Sequence, residues 1–363
     1  MVDRSLLGPR TVRMPDFAPG EWINTEHPLD KSLLRGRAVL VDFWDYTCVN
    51  CIRTLPYLTK WHERYARYGL VIIGVHAPEF NFARTQAQVT AAVQKYNIPY
   101  PVLLDNEYQT WDRFANRAWP TKYLIDADGY LRYRRQGEGF YAQTEQALQE
   151  VLVEMNAGLT LPPVLPPLRA EDRPGAVCYR TTPELYAGYE RGSLGNPEGY
   201  AAHGPLAYRM PIALQRAPNQ FYAGGLWQAT EQALAFAGQQ SGLIVLPYEA
   251  AGVNAVLSPS ADPVEVLLKL RRTESPPVVE VRLDGAYVTP EQAGADIEYD
   301  DGGLSYVQVD EARMYELVQH PEHGAHELEL VFRANGLALY SFTFTHCIAP
   351  GADPADPAVF QTG

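Results

Sequence analysis

Along the first 158 residues the spacing of apolar positions changes repeatedly, and each change marks an element. Residues 38–44, AVLVDFW, form a continuous apolar run suited to a strand buried on both faces. From Val49 the apolar positions Ile52, Leu55, Leu58 and Trp61 fall three apart, one face of a helix reaching to about Tyr68. Pro56 lies inside that helix and is expected to kink it. LVIIGVH (70–76) predicts a second buried strand, TQAQVTAAVQKY (85–96) a helix, and YPVLLD (100–105) a third strand. EYQTWDRFA (107–115) looks helical; a strand over PTKYLID (120–126), the turn ADG, a strand over YLRYRRQG and a closing helix over 142–156 follow. Strands alternating with helices predict an α/β layer architecture with a largely parallel sheet. Its last strand should pair antiparallel, because a tight turn cannot make a parallel crossover.

At LTLPPVLPPLRAEDRPG (159–175) both periods stop, and the prolines predict a semi-rigid linker. Beyond it come short alternating runs: SGLIVLPYEA, GVNAVLSP, PVEVLLKLRR, VVEVRLDGAYV, LSYVQVD, RMYELVQH, HELELVFRAN and LALYSFTFTH, separated by turn signals such as DG, DDGG and ANG. Short strands with few helical stretches predict an all-β sandwich, of jelly-roll type. The expected division is therefore an α/β domain over 1–158, a linker over 159–175 and a β-sandwich over 176–363.

Composition narrows the classes. With 46% hydrophobic and 20% charged residues the chain is globular, and its 363 residues suit two domains. A net charge of −13 argues against unspecific binding to nucleic acid or anionic lipid, both of which need a basic face. No apolar run approaches the roughly 20 residues of a membrane helix, and the N-terminus lacks the ~7–15-residue apolar stretch of a signal peptide. As written, the chain is expected in the cytoplasm; a trimmed leader or anchor would place it outside.

Two of the four cysteines, Cys48 and Cys51, sit three apart in VDFWDYTCVNCIRTLPYL, behind the first strand and at the mouth of the first helix. There the unpaired N–H groups and the positive end of the dipole favour a thiolate. A free thiol titrates near ~8.5, and this placement is expected to lower Cys48 to roughly 7 or below. Cys48 would attack and Cys51, one turn further in, would resolve the mixed disulfide. Asp42 stands on the apolar strand, where burial should raise its pKa and let it take and return the proton of Cys51. No cofactor is needed, since the cysteines carry two electrons themselves. The partners would be a protein or small-molecule disulfide and an unidentified electron donor.

The segment V-D-F-W-x-x-x-C-x-x-C followed by Pro56 resembles the active site of thioredoxin-fold proteins, with Val41, Asp42, Phe43, Trp44 and both cysteines in register. The resemblance implies a cis-proline at Pro120 in AWPTKYLID and a docking surface for substrate built from Trp44, Trp119 and Pro120. The insertion at 84–105 is similar to that of TlpA/ResA-like redoxins, and Glu79 in GVHAPEF falls about where those carry an active-site acid; a solvated loop glutamate is the competing reading. With TTPELYAGYERG (181–192) and the β-rich tail, the chain resembles the soluble part of DipZ-type proteins, in which a thioredoxin-like domain precedes a carbohydrate-binding-module-like β-sandwich. The implied activity is thiol–disulfide exchange. Val49 and Asn50 add no positive charge between the cysteines, unlike the histidine of strong oxidants in the family, which points the exchange toward reduction.

Other readings compete. Half of a zinc site would need four ligands, and none stand at the right spacing near Cys48. A thiol peroxidase of the related peroxiredoxin type would carry a threonine where this chain has Asp45. A binding protein would use the sandwich for a glycan or protein ligand, with Phe221, Tyr222, Trp227 and Tyr248 either forming a stacking platform or filling the core. HPEHGAH (320–326) reads as a loop between strands. Cys178 and Cys347 are most simply small buried hydrophobes, with a disulfide between them left open.

Overall fold

The computed structural model describes residues 5–201, 203–262 and 277–350. The run PVEVLLKLRR, expected as a strand, lies outside the described residues. The chain divides into two compact units, Met1–Leu168 and Arg169–Gly363.

The first unit contains β1 (Trp22–Ile23), β2 (Ala38–Trp44), α1 (Val49–Tyr65), β3 (Leu70–His76), α2 (Gln86–Lys95), β4 (Val102–Leu104), α3 (Gln109–Arg113), β5 (Thr121–Ile125), β6 (Leu131–Gln136) and α4 (Tyr141–Met155). Its six-stranded sheet runs β1-β4-β3-β2-β5-β6. Among the described strands of this sheet only the β2–β3 and β3–β4 pairings are parallel; β1–β4, β2–β5 and β5–β6 are antiparallel. This corrects the expected largely parallel sheet: alternation of elements reports burial, while strand direction depends on where each connection lands. The link from β4 to β5 is a short helix and loop that delivers β5 to the far side of β2. Every residue of β2 is buried, as its unbroken apolar run requires. α1 continues through Pro56 and buries Cys51, Leu55, Leu58 and Trp61. Residues 159–168, expected as the start of a spacer, are held along this unit: Gln149 donates to the Pro162 carbonyl, Leu165 N–H to Glu145 and Leu168 N–H to the Tyr57 hydroxyl.

The second unit is all β. It comprises β7 (Val177–Cys178), β8 (Leu185–Tyr186), β9 (Leu206–Tyr208), β10 (Tyr222–Ala229), β11 (Leu234–Phe236), β12 (Gly242–Ser258), β13 (Val278–Leu283), β14 (Ala286–Tyr287), β15 (Glu298–Tyr299), β16 (Ser305–Gln308), β17 (Arg313–Phe332), β18 (Ala338–Thr345) and β19 (Cys347–Ile348). Eleven of these strands form one ladder that closes on itself. β12 pairs with β10 over residues 243–245 near its start, with β18 over 252–258, and with β17 along nearly its whole length. Two pairs of expected strands are thus single long ones: SGLIVLPYEA and GVNAVLSP fuse into β12, and RMYELVQH and HELELVFRAN into β17.

HPEHGAH is accordingly no inter-strand loop. It lies within β17 at a register shift, where Gly252 faces Gln319 but Ala250 faces Gly324. His320, two residues beyond the core residue Val318, is buried on the same side; its Nε2 hydrogen-bonds the Tyr248 hydroxyl at 2.8 Å and its ring stacks on His326. His326 in turn bonds Asp284 at 2.8 Å. Phe221, Tyr222, Trp227 and Tyr248 are all buried, so of the two readings offered for them the core is the one found.

Candidate active site

β2 ends at Trp44, and the next four residues carry the chain to Cys48, the N-cap of α1. Cys48 has extended backbone (φ −82°, ψ 111°), and its sulfur accepts the Cys51 N–H at 3.3 Å. Cys48 is half-buried while Cys51 is buried one turn behind it, and the Cys51 thiol donates to Cys48 Sγ at 2.7 Å. An accessible sulfur in front and a shielded one in contact with it can form and break one bond between them without moving the backbone.

The electrostatics differ from expectation. A thiol at a helix N-terminus was expected below its ordinary value; burial pushes the Cys48 thiol up instead, and nearby Glu79 and Asp45 push it further. The thiol and N–H of Cys51 oppose this without reversing it. Cys51 is held well above the usual thiol range by burial and by the Cys48 sulfur. The helix terminus supplies donors, but burial outweighs them.

Asp42 is fully buried, its Oδ1 has no hydrogen-bond partner, and burial raises its pKa to about 7. A single charge moderates that rise: Lys122, which faces Asp42 across the β2–β5 ladder. Lys122 is itself buried, with its ammonium on the Gly137 carbonyl at 3.2 Å; burial lowers its pKa, and Asp42 and Cys51 raise it. Sequence reasoning missed Lys122, although a lysine within the apolar run of TKYLI was a visible signal.

Asp45 is a second buried carboxylate. It accepts the Thr47 N–H and hydroxyl at 2.5 Å each and the Glu79 N–H at 2.8 Å, and lies 3.6 Å from His76 Nε2. Burial raises its pKa and these donors hold it down. His76 is pushed down to about 3 by burial, so beside Asp45 it stands as a neutral ring, stacked on Tyr46 and edge-on to Trp44. The Asp45 bond to the backbone of Glu79 ties the loop after β3 to the loop that presents Cys48, which brings Glu79 close enough to act on the thiol.

Of the three docking residues, Trp44 is corrected: it is 1% exposed and set into the sheet, where it offers no surface to a substrate. Its place on a strand buried on both faces is the reason. Trp119 is half-buried, with Nε1 donating to the Ala77 carbonyl at 3.0 Å and its ring against Trp111. The Trp119–Pro120 peptide is cis. Because Phe43 faces Thr121, Pro120 stands at the end of the sheet from which β2 runs to Cys48. Cys178 and Cys347, read as buried hydrophobes, are instead bonded to each other across the β7–β19 pair, with Cys178 exposed.

Two family models match the chain: the AhpC/TSA family over residues 12–134 and the thioredoxin like C-terminal domain over 182–345. With the fold, they make the chain similar to thioredoxin-like redoxins of the TlpA/ResA type, followed by a β-domain. Among these the chain resembles DipZ. It is 37% identical to Protein DipZ of Mycobacterium tuberculosis over 240 residues, 65% of this chain and 33% of the relative. It is 30% identical to thiol-disulfide oxidoreductase ResA of Bacillus cereus over 118 residues, 32% of this chain and 65% of that one, and 25% identical to thiol-disulfide oxidoreductase YkuV of Bacillus subtilis over 143 residues, 39% and 95%. The chain thus spans about a third of DipZ's length.

Proposed function

We propose that this protein is a thiol–disulfide oxidoreductase that reduces disulfides of other proteins through Cys48 and Cys51. The observation that carries the reading is the half-buried Cys48 sulfur at the head of α1 with the buried Cys51 thiol 2.7 Å behind it. In the forward reaction the Cys48 thiolate attacks one substrate sulfur, and the other leaves with the electron pair of the broken bond. Cys51 passes its proton to the Asp42 carboxylate and attacks Cys48 Sγ. The first substrate sulfur leaves and is protonated, the two cysteines end as a disulfide, and two electrons have moved to the substrate. A carboxyl with a pKa of about 7 suits this exchange near neutrality. Trp119 and Pro120 shape the docking surface beside Cys48. Lys122 acts through Asp42, as a positioning residue.

Reduction is the favoured direction. A dithiol is a strong oxidant when its thiolate is stabilised; here burial, Glu79 and Asp45 disfavour the Cys48 thiolate. The same charges argue against peroxide reduction as the main activity, since that chemistry needs a single readily ionised sulfur. Re-reduction falls to a separate dithiol donor. No helix among the described residues is long and apolar enough to cross a membrane. The exposed Cys178–Cys347 bond favours an oxidising, extracytoplasmic compartment, where such bonds persist.

The test is reduction of insulin disulfides by the wild type and by Cys48→Ser, with Cys51→Ser used to trap partners. The wild type should turn over, Cys48→Ser should be inactive, and Cys51→Ser should accumulate mixed disulfides on Cys48. Equal turnover in wild type and Cys48→Ser would remove the reading.

A further inference from the structure

The β-unit holds a second sulfur pair that the chemistry at Cys48 does not use. Cys178 and Cys347 face each other in a ladder of only two residues per strand, separate from the eleven-stranded sheet. Neither belongs to the apolar core of that unit. Cys178 is exposed, Cys347 is half-buried, and the bond joins positions 169 residues apart. A bond placed to staple a core would be shielded by it; this one lies outside, open to an attacking thiolate. Beside it stands His346, with a ring nitrogen and both sulfurs all within 4.8 Å of one another.

We infer that Cys178–Cys347 is a second thiol–disulfide exchange centre, opened by a dithiol reductant and served by the imidazole of His346 as proton donor to the departing sulfur. The attacking thiolate bonds to the exposed Cys178 Sγ. The Sγ–Sγ bond breaks, and its electron pair leaves on Cys347, which takes a proton from the His346 ring. The second thiol of the reductant then displaces Cys178, which departs as a thiol. The reductant ends as a disulfide and two electrons have entered the β-unit. An imidazole in this position lowers the cost of the leaving thiolate, the step that limits exchange with an ordinary disulfide. The sulfurs and the ring stay within the β-unit, so this centre does not depend on the role given to Cys48.

The experiment uses the full chain carrying Cys48→Ser and Cys51→Ser, which leaves Cys178 and Cys347 as its two cysteines. Folded protein is exposed to dithiothreitol, and free thiols are counted by mass after maleimide labelling, with circular dichroism recorded alongside. The centre should take up two labels per chain while the β spectrum stays native. His346→Asn, with His346→Gln as a second variant should the first misfold, should slow the opening by ~10-fold or more and flatten its dependence on pH. Labelling that appears only once denaturant has unfolded the β-unit would make the bond structural and overturn the proposal. A rate and pH profile unchanged by a folded His346 variant would overturn the part assigned to the imidazole.

Discussion

Asp42 and Lys122 show what one cross-strand pair does to a site. The Asp42 carboxyl is raised from 3.8 to about 7, so the native chain keeps a proton that the unfolded chain has lost over that range. Native stability therefore falls as pH rises from about 4 to about 7 and is level above, the reverse of a paired carboxylate. Asp42→Asn removes this term. Urea unfolding should find the variant gaining on the wild type as pH passes from 5 to 8, by on the order of 2–4 kcal/mol at the upper end. On the proposed role of Asp42 as the base for Cys51, its insulin reduction should fall ~100-fold at neutral pH. Lys122→Met removes the charge that moderates Asp42, so the limb of the pH–rate profile belonging to Asp42 should move to higher pH. A profile that stays in place would show that Lys122 does not act through Asp42. The placement of Cys48 and Cys51 at the head of α1 and the burial of Asp42 were legible in a local pattern. The cis peptide at Pro120 was legible in the resemblance to thioredoxin-fold proteins. Lys122, and the approach of Asp45 and Glu79 to the thiol, come from register and loop closure, which no stretch of sequence displays.

Among the elements, α4 does more than close the first unit. Its Glu145 is 1% exposed and accepts the Tyr65 hydroxyl from the end of α1 at 2.6 Å and the Leu165 N–H at 2.9 Å, with Arg64 3.6 Å away. One carboxylate thus joins α1, α4 and the proline-rich stretch. Glu145→Ala strands these donors and should cost ~2–4 kcal/mol in chemical unfolding, with protease cleavage appearing first within 159–168. Helix and buried-strand positions in this unit followed from period alone, since each buries a face against the sheet. β1, two residues long, gave no period to detect. The direction of β5 depended on its connection and was misjudged for that reason.

On the scale of the whole molecule, the second unit shows how far alternation carries. It identified an all-β fold but cut β12 and β17 each into two, because glycine and histidine positions inside them look like turns. Trp227 is fully buried against Phe236 and Phe332. Trp227→Ala should therefore lower the unfolding free energy of the β-unit by ~3–5 kcal/mol. A variant that keeps its stability and loses glycan retention would reverse that assignment.

The excess chain in β17 has one more consequence. Between its fixed neighbours, Gln319 and Gly324, it carries four residues where β12 carries one, a surplus of three. β17 keeps its side through this surplus: Val318 before it and Leu328, Leu330 and Phe332 after it all reach the core, an even number of residues apart, while Glu327 and Glu329 stay outside. Natural variants at this point should differ in length by even numbers, because losing or gaining a single residue would trade leucines for glutamates along the rest of the strand.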